Sequence, residues 1–257
     1  MKDVGSKFKF KFYHIPGIFI TSFRSTAELY FNEHFDELRH RIFYIFICFF
    51  FIASFTFYNV KMIVKTLEYP MSTIQFFQLS PGEYFVSTII ISISVGTIFV
   101  TPLILNQSLF FFKPALTKNE KNIILILLIS SILLFLAGLG FSYFILIPAS
   151  LNFFIYYSSE VIQPFLSFNQ YFNFISTLFF STGLVFQVPI IQIILSLTKL
   201  IDPIKMLNYW RPMVLFSTIL GAILTPSADP VTQLLLSLAL FFLYFFGSIT
   251  SINLVEQ

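Results

Sequence analysis

Long apolar runs separated by short polar segments organise the chain. Ile42 to Val60, Tyr84 to Leu105, Ile123 to Ile147 and Tyr171 to Leu197 are each long and almost free of charge. A helix needs about 20 apolar residues to cross a bilayer, so these four predict four spans. Met213 to Leu224 gives only twelve residues, and in Val231 to Thr250 the uninterrupted apolar stretch runs only from Leu234 to Phe246. Between them Thr225-Pro-Ser-Ala-Asp-Pro230 reads as a turn. The pair predicts a short helical hairpin that thins the bilayer or leans on taller helices. The expected fold is an all-α membrane protein with six transmembrane helices at about 42–60, 84–105, 123–147, 171–197, 212–224 and 231–250, the last two short. A basic arm (residues 1–31), the membrane domain (32–250) and a short tail (251–257) complete the chain.

Composition agrees: of 257 residues, 57% are hydrophobic and 11% charged. A soluble domain carries about 25% charged residues, so an ordinary soluble enzyme, a disordered chain and a nucleic-acid binder are excluded. The single cysteine, Cys48, excludes a disulfide framework. His14, His34 and His40 all precede the first span, which disfavours a buried histidine metal site.

The sparse charge sets topology. Thirteen of the fifteen Lys and Arg residues fall before span one, between spans two and three, or between spans four and five. Only Lys61 and Lys65 fall on the other face. The positive-inside rule puts both termini on the cytoplasmic or stromal side.

No catalytic constellation is present: there is no phosphate loop, no His-Glu-x-x-His and no Gly-x-Ser-x-Gly. No inverted repeat or charged, broken midplane helix marks a small-solute transporter, the alternative class. Phe31, Phe35, Leu38 and Ile42 follow helical spacing, so a short amphipathic helix is expected to run into span one. On it Glu37 and Arg41 stand four apart, as a surface ion pair or as a carboxylate open to another guanidinium. Thr117-Lys-Asn-Glu120 is a capping box opening span three, or offers a second carboxylate on the same face. Ser80-Pro-Gly-Glu83 is another capping box, and Asp202-Pro203 and Asp229-Pro230 read as N-caps followed by proline. Asp229 is expected at a wet hairpin tip. Gln187, mid-span, needs a partner: the carbonyl freed by Pro189, or a helix of another subunit. Pro102 is expected to kink span two, and Gly138 and Gly140 to allow close helix approach.

Taken in order, these motifs resemble the TatC family, the multi-spanning receptor component of twin-arginine translocases. The likeness runs from about Asn32 to Phe246. Glu37-Leu-Arg-His-Arg41, Phe111-Phe-Lys-Pro-Ala-Leu-Thr-Lys-Asn-Glu120, Gly138-Leu-Gly-Phe-Ser-Tyr143, Phe186-Gln-Val-Pro189, Leu224-Thr-Pro226 and Asp229-Pro-Val-Thr-Gln233 carry it. Gln78-Leu-Ser-Pro-Gly-Glu-Tyr-Phe85 is similar to the cyanobacterial and plastid branch. Gln187 and Phe245 depart from glutamates found in relatives.

The resemblance implies a non-enzymatic receptor without cofactor or metal. Its ligands would be twin-arginine signal peptides of folded precursors, bound by Glu37 and Glu120 with Leu38, Arg39, Arg41 and Phe111 nearby. Single-span subunits of the TatA/TatB type would dock near Gln187, Thr225 and Gln233, and copies of the chain would self-associate. Pro70, Glu83, Pro114 and Asp229 would be structural. Transport would be driven by the proton gradient. The branch points to a plastid thylakoid membrane, with a bacterial inner membrane as the alternative.

Overall fold

The structure is a computed structural model. It describes residues 18–68, 76–78, 80–112, 121–158, 166–226 and 229–255, with side chains described from residue 36 onward except at 109–122 and 255. The chain divides into two compact units, Met1–Tyr44 and Ile45–Gln257.

The first described element is α1, Ile18–Tyr58, 41 residues long. No glycine or proline interrupts it, so nothing stops the helix before the apolar run. The amphipathic segment expected before span one is therefore the same helix as the span, and helical backbone also reaches back through residues 18–31 of the basic arm. The helix breaks at Asn59, whose backbone N–H and side-chain Nδ2 both donate to the Phe55 carbonyl oxygen, at 3.2 and 3.0 Å. The backbone bond is the ordinary helical one, and the side-chain bond to the same carbonyl is the local competitor that favours a break here. A short helix, α2 (Val60–Glu68), follows.

The remaining elements are β1 (Phe76–Phe77), α3 (Glu83–Phe112), α4 (Lys121–Phe141), a π-helical turn (Ser142–Leu146), α5 (Ile147–Ser158), β2 (Leu166–Ser167), α6 (Phe168–Val185), α7 (Val188–Leu197), α8 (Pro203–Asn208), α9 (Trp210–Leu224) and α10 (Pro230–Val255). Helix α3 continues through Pro102. The π turn precedes Pro148, which cannot donate to the Phe144 carbonyl, and a widened turn accommodates the missing bond. Proline also separates α6 from α7: Pro189 cannot bond back to Val185, and the helix relaxes at Phe186 and Gln187 before restarting.

β1 and β2 pair in parallel, Phe76 with Leu166 and Phe77 with Ser167. The pair puts the starts of α3 and α6 side by side, as two helices entering from the same face require. Above it Phe76 packs on Phe168, Tyr171 and Phe172, with ring centroids 4.8–6.5 Å apart. Val64, Ile91, Ile147 and Ile175 complete this core. A second cluster joins Leu146 and Val185 to Leu236 and Leu240, and a third joins Leu127 to Ile190, Ile193 and Leu197.

Among the described residues five helices are long and apolar enough to cross a membrane, and Trp210–Leu224 is a shorter apolar helix. The last arm of the hairpin is not short. α10 has 26 residues, about 39 Å at 1.5 Å each, against about 22 Å for the 15 of α9. The apolar run ends at Phe246, but the helix does not. Ser248 and Thr250 return their hydroxyls to the carbonyls of Tyr244 and Phe246, at 2.9 and 3.1 Å. Residues 251–255 thus belong to the final helix rather than to a tail.

Candidate functional site

On α1, Arg41 donates from both Nε and Nη2 to Oε1 of Glu37, at 3.2 and 2.6 Å. The i,i+4 spacing brings the two together on one helix face. The Glu37 side chain is 45% exposed and that of Arg41 22%. An exposed pair of this kind is worth only a few tenths of a kcal/mol, so Glu37 can exchange one guanidinium for another at little cost. His40 bonds through Nδ1 to the Asp36 carbonyl at 2.8 Å. Leu38 and Arg39 are exposed beside Glu37. Phe111 lies in the last turn of α3. Glu120, Pro114 and Pro70 fall outside the described residues.

The residues expected to face partner subunits are placed differently. Gln187 is 2% exposed, and both ends of its amide find a partner within the chain. Ser131 Oγ donates to Gln187 Oε1 at 2.9 Å, and Gln187 Nε2 donates to the Ser131 carbonyl at 3.1 Å. The partner that the buried amide finds within the chain is thus Ser131 of α4 rather than the carbonyl freed by Pro189. Thr225 is also buried, donating to the Gly221 carbonyl at 3.0 Å. Gln233 is half-buried, with Nε2 3.5 Å from the Thr218 carbonyl on the opposite hairpin arm.

Asp229 is 1% exposed rather than standing at a wet tip. Its Oδ2 accepts from the Thr232 N–H at 2.9 Å, the N-cap bond of α10. Asp202 precedes Pro203 at the cap position of α8, but its side chain makes no cap bond and pairs with Lys205 at 2.6 Å. Glu83 opens α3 and accepts from Ser167 Oγ at 2.9 Å, tying α3 to the cap residue of α6. Gly138 does mark a close approach: a Cβ there would stand 3.0 Å from the Thr182 carbonyl oxygen. Gly140 faces open space.

Several contacts are not signalled by residue type alone. Ser181, well inside α6, donates to the Leu224 carbonyl at 2.9 Å and so pins the hairpin turn deep alongside that helix. Tyr143 and Tyr171 donate to the carbonyls of Thr66 and Leu67, at 3.0 and 2.8 Å, satisfying two orphan acceptors at the end of α2. Burial raises the carboxyl pKa of the neighbouring Glu68 above the ordinary glutamate value. Gln192 donates to Ser248 Oγ at 3.1 Å between α7 and α10. A buried amide in a span signals a partner, but only packing reveals which serine supplies it. Among the described residues no three His, Cys, Asp or Glu side chains gather as a metal site would require.

The fold and the exposed Glu37–Arg41 ion pair define a multi-span helical membrane protein whose polar chemistry lies at its surfaces and helix contacts. The family description "Sec-independent protein translocase protein (TatC)" matches residues 33–238. An uncharacterized TatC-like protein of Trieres chinensis is 55% identical over 222 residues, covering 86% of this chain and 84% of that one. The Sec-independent protein translocase protein TatC of Synechocystis is 43% identical over 223 residues, covering 86% and 87%. A crystal structure of a twin-arginine translocase receptor, TatC, superposes with a TM-score of 0.74 at 32% identity, over 85% of this chain and 99% of that one. The chain belongs to the TatC family.

Proposed function

We infer that the chain is the core receptor subunit of a twin-arginine translocase, binding the signal peptides of folded precursors and organising single-span partners for proton-gradient-driven export. The observation that carries this reading is the TatC-family match over residues 33–238, which includes both Glu37 and Glu120. Similarity to a solved twin-arginine translocase receptor supports it. A signal peptide of this class presents two adjacent arginines. Each guanidinium forms a bidentate, charge-assisted bond with a carboxylate, which the point charge of lysine does not reproduce. Glu37 already accepts two guanidinium nitrogens from Arg41, so the incoming arginine would replace a bond of the same kind. By the family resemblance Glu120 would supply the second carboxylate, with Leu38, Arg39, Arg41 and Phe111 as further signal-peptide-binding residues. The chain acts as a receptor and not as an enzyme.

Partner subunits would meet the exposed outer side of the hairpin, where Leu215, Phe216, Ile219 and Ile223 face outward, rather than the buried Gln187. The basic face is cytoplasmic or stromal. A chloroplastic TATC of Pisum sativum is among the relatives, in keeping with a plastid location; the thylakoid membrane, with both termini on the stromal side that the basic face predicts, is the location this reading gives the chain. The test is photo-crosslinking of a twin-arginine peptide to the membrane-inserted chain. Glu37→Ala and Glu120→Ala should each abolish the crosslink without loss of insertion, and a twin-lysine peptide should fail on the wild type. Unchanged crosslinking in both variants sinks the two-carboxylate site.

A further inference from the structure

Two cations stand against the charge pattern of the chain. Lys61 and Lys65 are the only basic residues on the face opposite the other thirteen, and both lie in α2, a helix of nine residues. Basic residues on that face run against the positive-inside rule, yet here two stand one helical turn apart.

α2 is amphipathic by position. Val60, Ile63, Val64 and Leu67 recur at helical spacing and pack into the core cluster of Ile91, Ile147 and Ile175. Lys61, Met62 and Lys65 occupy the opposite face, and all three are exposed, Met62 at 75%. The helix is not free to roll and bury that face, because Tyr143 and Tyr171 hold its last carbonyls, at Thr66 and Leu67. Neither lysine has a carboxylate partner among the described residues. Glu68, three residues beyond Lys65, is half-buried and makes no ion pair with it.

The level of α2 in the membrane follows from the end of α1. Phe51, Phe55 and Tyr58 are exposed along the last turns of that apolar helix, Tyr58 at 88%, so this stretch is a lipid-facing span that ends at Tyr58. One residue, Asn59, separates it from α2. Even if α2 continued straight outward, Lys65 would stand only about 10 Å beyond the end of the span at 1.5 Å per residue. The headgroup layer is what lies there.

We propose that the outer face of α2 is an anionic-lipid site, at which Lys61 and Lys65 together hold the charged headgroup while Met62 enters the acyl boundary between them. Charge complementarity and depth select this occupant. A neutral headgroup leaves both cations without a counter-charge. An acidic segment of a soluble partner meets the cations but leaves Met62 and Tyr58 against water, whereas a headgroup layer takes both kinds of side chain at once. The proposal needs only that the chain resides in a bilayer and does not depend on signal-peptide recognition.

The test places a nitroxide label on the full chain through Met62→Cys in a Cys48→Ser background, which removes the only native cysteine. The chain is reconstituted in nanodiscs of phosphatidylcholine alone or of phosphatidylcholine with phosphatidylglycerol. Accessibility of the label to a neutral nickel chelate in water is read by power-saturation spectroscopy. Phosphatidylglycerol should lower that accessibility on the order of threefold, and high salt should reverse the change. Lys61→Arg/Lys65→Arg should keep the response, and Lys61→Gln/Lys65→Gln should abolish it. Both lysines are exposed, so neither double variant removes a core contact. Equal accessibility in the two nanodiscs overturns the site, as does a response that survives the glutamine variant. Protection that appears in native membranes but in neither nanodisc assigns the face to a protein partner and overturns the lipid site as well.

Discussion

Ser131 and Gln187, 56 residues apart, close a reciprocal hydrogen-bonded ring between α4 and the break separating α6 from α7. The side chain of each residue takes part, and both are buried. In hydrocarbon an amide left unpaired costs on the order of 1–3 kcal/mol. Gln187→Ala and Ser131→Ala should each destabilise the chain, and the double variant should lose less than the sum. The coupling should be about 1 kcal/mol in a double-mutant cycle on detergent unfolding. Strict additivity would mean the ring contributes nothing.

Gly247 lies where α10 crosses α7. A Cβ there would run into Gln192 Oε1 and approach Pro189 Cα to 2.8 Å. The side chain could move, but the proline backbone could not. Gly247→Ala should lower stability by about 1–3 kcal/mol. Gly140→Ala, which meets nothing within 4 Å, should be neutral or slightly stabilising. Thermal unfolding of the two variants in one detergent checks the contrast, and equal losses would count against the close approach.

How far the sequence reaches depends on what kind of signal each feature leaves. The Glu37–Arg41 pair is legible because i,i+4 spacing is a local rule. The TatC resemblance is legible because its motifs occur in order. Gln187 is conspicuous as an amide in a span, but Ser131 is not, because a serine in a span usually bonds its own helix and only the packing of α4 on α6 selects this one. Hydropathy underestimates the length of α10 because it stops at polar residues, whereas Ser248 and Ser251 are buried and bonded within the helix. The β1–β2 ladder of two residues per strand carries no periodicity to read.

Glu68 ends α2 beside the carbonyls that Tyr143 and Tyr171 hold. Burial raises its carboxyl pKa, so the docked helix binds the proton more tightly than the undocked one. The sign follows: docking of α2 should strengthen as pH falls through the raised value toward the ordinary glutamate range, and weaken above it. Hydrogen exchange over residues 60–68 at a series of pH values, corrected for intrinsic rates, should show protection rising with acidity. Glu68→Gln should hold the protected level throughout, and a pH response that persists in that variant would assign the effect elsewhere.

Asp229 separates a structural role from a charge-dependent one. Its carboxylate is buried and caps α10 through the Thr232 N–H, with Pro230 set at the first helical position. Removing the acceptor leaves a buried donor at the start of the longer arm of the hairpin, so Asp229→Ala should cost about 1–2 kcal/mol. The Asp229→Asn substitution keeps an oxygen that can accept the same bond without the charge. If Asp229 serves only as the cap, Asp229→Asn should retain both the unfolding temperature and precursor transport. If the charge itself takes part in transport, the same variant should be as stable as the wild type yet inactive. Measuring both properties on Asp229→Ala and Asp229→Asn distinguishes the two, and the buried cap geometry leads us to expect the first.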